Sequence, residues 1–268
     1  MRVARLAAMA VLAVVLLLSA FPALVTADPS DEQFRNDIDL PPSLRYPLGT
    51  DDLGRNRMAR LLHGTRTSLL LAPAAAALSV VLACSIGLAA GGGGRIAVRL
   101  FESVADLTGS LPWLLMLIGL RAALPLEASP FATTAITFAM LALLGWAGPA
   151  RVIRNLAANL RERDFTIQAR ALGQGGWRFS TKHLLPHVWP VAAAQFWINL
   201  PVFILVEANL GLLGMGIPEP YASLGNQLRD LESYQSVMNK PWLLAPAVLL
   251  TAVVSASWII SLTAEETA

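Results

Sequence analysis

The feature that most restricts this sequence is a series of long, almost uninterrupted apolar runs. A bilayer core requires about 20 consecutive apolar residues in a helix. It also offers no partner to an unpaired backbone N–H or C=O group, so the runs should be helical. We therefore predict about six membrane spans, at approximately residues 4–25, 68–90, 107–124, 131–148, 188–206 and 241–262.

Composition leads to the same fold class. Of the 268 residues, 55% are hydrophobic and 14% are charged, whereas an ordinary soluble domain has about 25% charged residues. The formal net charge of +2 does not indicate nucleic acid, because the basic residues cluster in loops between the apolar runs. We predict an all-α integral membrane protein, a bundle of about six transmembrane helices.

A dense group of basic side chains lies in one connection, between the fourth and fifth runs. The positive-inside rule places this connection in the cytoplasm. With six spans, both termini are then cytoplasmic and the first loop is external. The first loop also contains arginines, but it is long and acidic, and long loops weigh less in the rule. The basic group comprises Arg151, Arg154, Arg161, Arg163, Arg170, Arg178 and Lys182.

The chain divides into three parts on this pattern. Residues 1–26 form a first membrane helix, residues 27–66 an external polar segment, and residues 67–264 the main membrane domain. A cleaved secretory signal is the alternative for the first part, because Val25-Thr26-Ala27 resembles a cleavage site. The apolar run is longer than the roughly 7 to 15 residues of a signal core, which favours an uncleaved helix acting as a signal anchor.

Several catalytic and metal-binding patterns are absent from the sequence. No G-x-x-x-x-G-K-[ST] motif for ATP phosphates occurs, and neither H-E-x-x-H nor G-x-S-x-G is present. His183 and His187 have the helical spacing of two metal ligands, but Pro186 between them interrupts a helix. The single cysteine, Cys84, lies in an apolar run and is best interpreted as a small buried side chain. We expect no enzymatic activity, metal site or cofactor on this chain.

Glu207 is the only ionisable side chain well within an apolar run, and Asp106 and Arg121 lie near the ends of runs. Such residues are functional candidates, because a charge inside a membrane is costly. We interpret the fifth span as ending at Val206, which would leave Glu207 paired or hydrated near the outer face. An ion-coupled secondary carrier is the alternative class of function. It would carry ionisable residues in several spans and broken helices in repeated halves, and neither is clear here.

The polar connection FTIQARALGQGGWRFSTKHLLP, residues 165–186, concentrates side-chain chemistry between two spans. Residues 165–172 predict a short helix, and the glycines that follow break it. Residues 177–185 predict a second short helix that Pro186 stops. Two short helices at an angle would form a knob on the cytoplasmic side.

The predicted knob has features of a protein contact site. Small Ala169 and Ala171 would let a partner backbone approach closely, and Gly173 permits a bend that a Cβ would obstruct. Leu172, Trp177 and Phe179 offer apolar anchors. The alternative is a basic loop that only meets anionic lipid, and spacing alone does not separate the two.

This connection resembles the cytoplasmic coupling loop of the permease subunits of ATP-binding-cassette (ABC) importers. The signature of that loop is Glu-Ala-Ala, then Gly after three intervening residues, and finally Leu-Pro. Ile167 and Gln168 replace the Glu and the first Ala here, and the rest matches in register. The resemblance implies docking into a groove of a separate ATPase subunit, with contacts from Ala169, Arg170, Ala171, Leu172, Gly173, Trp177, Leu185 and Pro186.

Two further segments resemble the permeases for dipeptides, oligopeptides and nickel, specifically the subunit with the longer first external loop. They are PLGTDDLGR, residues 47–55, and GLLGMGIPEPYASLGNQL, residues 211–228. Asn56 and Arg57 depart from the usual Asp and apolar residue, and Leu224 replaces a usual Trp. Asp106 and Pro112 match a further pair. The family-motif residues are Gly49, Thr50, Asp51, Gly54, Arg55, Asp106, Glu207, Gly214, Gly216, Pro220 and Gly225.

The resemblance implies a non-enzymatic permease that forms half of a translocation pathway in a bacterial inner membrane. Its expected partners are a second homologous permease, two ABC ATPase subunits that bind ATP and Mg, an external substrate-binding protein and the lipid bilayer, with no nucleic acid. The expected substrate is a peptide or a similar small polar solute. Nickel complexes and opines are the alternatives.

Overall fold

The computed structural model describes residues 2–123, 129–172, 174, 176–232 and 238–265. Within these ranges the regular structure is helical, apart from an isolated β-bridge between Thr50 and Asn56. The helices are α1 (Arg2–Ala20), α2 (Arg57–Ala90), α3 (Arg95–Ser110), α4 (Trp113–Ala123), α5 (Pro130–Gly145), α6 (Ala147–Arg161), α7 (Asp164–Ala171), α8 (Gly176–Phe179), α9 (Leu185–Leu212), α10 (Leu224–Leu228) and α11 (Ala245–Glu265).

The prediction of an all-α membrane bundle is confirmed. Five helical segments in the described ranges are long and apolar enough to cross a bilayer, or six if α3 and α4 together count as one. Helices α5 and α6 together form one such segment, and α9 belongs to another that begins at Ser180. The count therefore agrees with the six runs of the sequence.

The prediction of one continuous third span over residues 107–124 was wrong. Residues up to Ser110 belong to α3, and α4 continues at an angle of 78°. The break lies at Leu111, which is extended (φ −73°, ψ 130°) because it precedes Pro112. The predicted end at Leu124 lies outside the described residues.

Helix α2 begins 11 residues before the predicted start of the second span at Ser68. The side-chain oxygen of Asn56 caps it by accepting from the backbone N–H groups of Met58 (3.0 Å) and Ala59 (3.4 Å). The polar segment therefore leads directly into a helix of 34 residues. Residues 57–66, which were predicted to belong to the external polar segment, form the first turns of α2.

The fifth span also differs from the prediction in both directions. Pro186 does not stop a helix, because Ser180–Leu184 forms a π-helical turn that continues from α8 into α9. A wider turn just before a proline relieves the loss of its N–H and the clash of its ring. At the other end α9 continues to Leu212, so the interpretation that it ends at Val206 was wrong.

Two buried clusters stabilise the bundle, one towards each end of α9. Near its start, α9 packs with the second half of α2 and with α3, α6 and α8, burying Leu88, Phe101, Ile153, Phe179, Leu184 and Val188. Near its end, α9 packs with the first half of α2 and with α5, α10 and α11, burying Leu69, Leu141, Phe203, Leu210, Leu224 and Val253. Helix α1 lies against α2 and α11.

Candidate functional site

Helix α7 forms a short projection after α6, and its position is fixed by a buried threonine. Thr166 is fully buried, and its Oγ1 lies 2.7 Å from the carbonyl oxygen of Leu160 and 2.6 Å from that of Arg163. The hydroxyl therefore donates back to the end of α6. This bond orients α7 relative to α6 without any partner chain.

One aromatic contact connects α7 to the start of α9, and a second connects the end of α6 to α8 and the π-helical turn before α9. The rings of Phe165 and His187 are stacked, with centroids 5.0 Å apart. The guanidinium of Arg161 lies 5.7 Å from the centroid of Phe179, and its Nη2 is 3.4 Å from Ser180 Oγ. The projection is thus attached to two spans, α6 and α9.

The predicted coupling residues do not all face outward. Ala169 is buried among side chains of its own chain, whereas Ala171 is exposed and Leu172 is 82% exposed. Arg170 lies in α7 and Trp177 in α8, while Gly173 lies outside the described residues. Leu185 is half-buried and Pro186 is exposed at the start of α9.

Three apolar side chains of the projection and the residue directly after it are exposed, beside the exposed polar side chains of Asp164 and Gln168. Phe165 is 40%, Ile167 53% and Leu172 82% exposed. Ile167 occupies the position where the coupling-loop signature has Glu, so the departure adds an apolar side chain to this surface. An apolar surface on a short helix that is firmly attached to two spans is suited to dock into a groove of another protein.

Asp106, a predicted motif residue, lies on α3 and pairs with α6. Its carboxylate contacts Arg151, and Glu102 lies 3.5 Å from Arg151 and 3.3 Å from Arg154. Two arginines that the sequence assigned to the cytoplasmic basic group therefore hold α3 against α6. These ion pairs explain why α3, which carries the acidic residues, lies next to α6, which carries the basic ones.

The opposite end of the bundle carries the PLGTDDLGR segment, which Asp51 organises. One carboxylate oxygen of Asp51 accepts from the backbone N–H groups of Leu53 (3.0 Å) and Arg55 (2.8 Å). The other lies 2.6 Å from Nε of Arg55. Burial lowers the pKa of Arg55, but Asp51 and Glu219 raise it overall. Asp51 is buried, so it shapes the loop rather than facing a ligand.

Two motif glycines and a threonine allow the same loop to fold back on the segment before it. Gly49 and Gly54 have φ angles of +71° and +75°, and a Cβ on either would lie within 2.3 Å of a backbone oxygen. Thr50 Oγ1 donates to the carbonyl oxygen of Asp37 and accepts from the N–H of Leu40 (2.8 Å). These residues are structural.

The departures at positions 56 and 57 have local explanations. The amide Nδ2 of Asn56 donates to Asp28 (2.9 Å), which a carboxylate at this position could not do. Arg57 donates through Nε to the carbonyl oxygen of Thr50 (3.0 Å) and pairs with Asp230. Both side chains therefore connect the start of α2 to other parts of this end of the bundle.

Glu207 is buried in the bundle, with 1% of its surface exposed. Its Oε2 accepts from Ser68 Oγ (3.0 Å), and the same hydroxyl accepts from the backbone N–H of Leu224 (3.3 Å). Its Oε1 is buried against Gly225. The expected pairing is present, but it joins α2, α9 and α10 inside the protein.

The motif glycines after the fifth span allow close backbone packing. Gly214 (φ +71°) follows the end of α9, and the N–H of Met215 donates to the carbonyl oxygen of Leu210 (2.8 Å), which is a Schellman-type helix end. A Cβ on Gly225 would lie 2.7 Å from the carbonyl oxygen of Glu207. Pro220 follows a cis peptide bond in the connection between the two helices.

A polar cavity of about 780 Å³ opens at this end of the bundle. It is lined by Asp39, the loop of residues 51–60, the end of α4, the end of α9, residues 214–232, Lys240 and Leu243. Glu219, which was not predicted from the sequence, pairs there with Arg55 (3.2 Å) and Arg60 (2.9 Å). The sequence feature that could have identified Glu219 is its position between Pro218 and Pro220.

The projection and the cavity lie at opposite ends of one helix. Helix α9 has 28 residues, which corresponds to a length of about 42 Å. Its first residues contact α7, and its last residues line the cavity. No group of three or more His, Cys, Asp or Glu side chains in the described part of the chain is placed to hold a metal ion.

Comparison with known proteins supports the family resemblance that the sequence motifs indicate. The family of binding-protein-dependent transport system inner membrane components matches residues 68–264. The chain is 32% identical over 213 residues to a dipeptide transport system permease protein, DppC, of Lactococcus lactis subsp. cremoris, covering 79% of this chain and 60% of that protein. It therefore spans less than two thirds of the length of this relative.

Two other relatives are covered more completely. A putative peptide permease protein of Brucella suis is 33% identical over 231 residues, which are 84% of this chain and 74% of that protein. An oligopeptide transport system permease protein, OppC, of Mycobacterium bovis is 31% identical over 249 residues, 91% of this chain and 83% of that protein. This chain belongs to the family of binding-protein-dependent transport system inner membrane components, the permease subunits of ABC importers.

Proposed function

We propose that this chain is one of two permeases in a peptide importer and that α7 transmits the work of a separate ATPase to the membrane spans. The observation that carries the proposal is the apolar surface of Phe165, Ile167 and Leu172 on a helix fixed to both α6 and α9. A soluble projection would not expose this surface unless it were covered by a partner.

The physical step is a rigid-body movement. ATP binding closes the ATPase pair, and the groove that holds α7 moves with it. Because Thr166 orients α7 on α6 and Phe165 stacks on His187 of α9, displacement of α7 tilts both spans. Two arrangements of the bundle then alternate between outward and inward access. ATP and Mg bind to the ATPase subunits and not to this chain.

Orientation follows from the same proposal. If α7 meets a cytoplasmic ATPase, the cavity at the other end of α9 faces outward, where a substrate-binding protein delivers its ligand. Both termini are then cytoplasmic, with α3 and α4 counted as one span. Peptides are the proposed substrates, because the named relatives are peptide permeases. Nickel complexes and opines remain the alternatives for ligand screening.

The test is a single substitution on the projection. Leu172→Ser removes the highly exposed apolar side chain directly after α7 and leaves the buried contacts of Thr166 and Ala169 intact. We expect ATP-driven uptake and recovery of the ATPase with the tagged chain to fall at least about tenfold, as for loss of an interface anchor. Uptake into proteoliposomes and quantitative mass spectrometry of copurified subunits measure the two effects.

Leu44→Ser is the matched control. Leu44 is fully exposed in the segment before α2, so the chemical change is the same at the opposite end of the bundle. It should leave ATPase recovery unchanged. Unchanged recovery for Leu172→Ser would contradict the assigned docking surface, and transport by the chain alone under a proton or sodium gradient would favour the secondary carrier.

A further inference from the structure

The cavity at the end of α9 is rich in charge of both signs, and most of that charge is internally paired. Its volume of about 780 Å³ lies within the range of about 300 to 1,000 Å³ that is typical of small-molecule sites. The paired cations hold the loop and the start of α2 to Glu219 and Asp230, and Lys240 to Asp39. They are Arg55 with Asp51 and Glu219, Arg57 with Asp230, Arg60 with Glu219, and Lys240 with Asp39.

Two guanidinium groups lining the cavity differ from these. Arg121 and Arg229 have no carboxylate within 4.0 Å among the described residues. Arg121 is half-buried, and its Nη2 donates to the carbonyl oxygen of Gly216 (2.7 Å). The guanidinium of Arg229 lies 3.3 Å from the position that a Cβ on Gly214 would take. Both groups therefore lie against the same short turn.

A partly buried cation without a counter-ion favours an anionic ligand. A guanidinium carries five N–H donors in one plane. In Arg121, the hydrogen bond to Gly216 uses only one of the two NH₂ groups. Bidentate donation to a carboxylate is the strongest use of the remaining donors. The turn itself supplies no competing acid, because residues 211–218 contain no Asp or Glu.

The same cavity also holds carboxylates without a cation. Asp52 and Glu232 line it, are exposed, and form no ion pair with the described residues. A cavity offering uncommitted charges of both signs suits a zwitterion better than a simple anion such as phosphate. A short peptide has this charge distribution, with a carboxylate at one end and an ammonium group at the other.

We propose that the cavity is a peptide-binding site on the permease itself, in which Arg121 and Arg229 receive the terminal carboxylate and Asp52 and Glu232 attract the terminal ammonium group. The inference rests on the proposed function and adds a substrate contact to it. Arg121 is the specificity-determining residue, because it is the more buried of the two cations and lies at the end of a span.

Direct binding tests the site independently of transport. The tagged chain is purified with the subunits that copurify, and binding of labelled trialanine and of trialanine amide is measured by equilibrium dialysis in the absence of the binding protein. We expect trialanine to bind at least about ten times more tightly than its amide, the difference made by one charge-assisted pair of about 1.4 kcal/mol. Arg121→Gln should remove this difference, and Arg121→Lys should restore part of it.

Arg35→Gln is the control, because Arg35 is an exposed arginine that does not line the cavity. It should preserve the preference for trialanine. Equal binding of trialanine and its amide, absence of binding of both, or a preference that survives Arg121→Gln would each overturn the proposal. If the complete wild-type assembly shows no ATP-driven uptake but still prefers trialanine, the proposed transport function is refuted and the proposed binding site is supported.

Discussion

At the scale of single residues, the side chain whose position matters most is Glu207. Sequence position suggested a residue at the edge of a span, but its carboxyl group joins three helices through Ser68 and the N–H of Leu224. Buried polar groups are tolerated when they are hydrogen-bonded, and removal of one partner leaves the other with the cost of desolvation. Glu207 is therefore a structural connection between α2, α9 and α10.

This role predicts different effects for two substitutions of Glu207. Glu207→Ala removes the acceptor for Ser68 and leaves a cavity, so it should lower the free energy of unfolding by about 2 to 4 kcal/mol. Glu207→Gln keeps an acceptor and the volume, and should change it by less than about 1 kcal/mol. Thermal unfolding of the purified protein in detergent, followed by size-exclusion chromatography, measures the order. An equal loss for both variants would show that the carboxyl group itself is required.

At the scale of elements, close contact between α2 and α6 depends on small residues. A Cβ on Gly87 of α2 would lie 2.8 Å from the carbonyl oxygen of Ala150 and 3.0 Å from a methyl group of Ile153. The two helices can approach this closely only because a side chain is absent. Since α6 carries the projection α7, this contact determines where the projection lies relative to the rest of the bundle.

Gly87→Val should therefore separate α2 from α6. We expect a loss of about 1 to 3 kcal/mol in stability, as for overpacking of a core, together with reduced uptake. Gly148→Ala on α6 is the matched control, because a Cβ there meets nothing within 4 Å. It should be neutral or stabilise the helix by about 0.5 to 1 kcal/mol. Chemical denaturation in detergent compares the two variants, and equal stability would argue against the close contact.

At the scale of the whole molecule, the exposed apolar projection and the charged cavity are separated by the length of α9. One helix therefore connects the proposed ATPase-docking surface with the cavity that we propose to lie on the opposite face of the membrane. This arrangement allows movement at one end to change access at the other without any direct contact between the two ligands.

Labelling of single cysteines tests this separation. In a Cys84→Ala background, which removes the single native cysteine, Leu44→Cys and Leu172→Cys place a thiol at each end. A membrane-impermeant maleimide added to intact cells should label position 44 and should label position 172 only after the cells are opened. Both residues are highly exposed in the isolated chain. The variants are expressed without the ATPase subunits, so that the partner proposed to cover position 172 does not affect the comparison. Labelling of position 172 in intact cells would reverse the proposed orientation.

Much of the fold could be predicted because its signals are local. Apolar runs predict spans, since a bilayer imposes the same requirement on every segment. Helix α7 was predicted correctly from the glycines after it, although the second short helix was not, because a π-helical turn accommodates Pro186. The family motifs also lie in contiguous segments, so their register is visible without a structure.

The tertiary structure alone decided the features that depend on residues distant in the chain. Glu207 and Ser68 are 139 residues apart, Arg57 and Asp230 are 173, and Arg121 and Gly216 are 95. The burial of Ala169 and the cavity around Arg121 follow from such contacts. The sequence by itself determined how many segments enter the membrane and which family they belong to. Packing decided which charges are paired inside the protein and which remain open to a ligand, because pairing depends on distance in space.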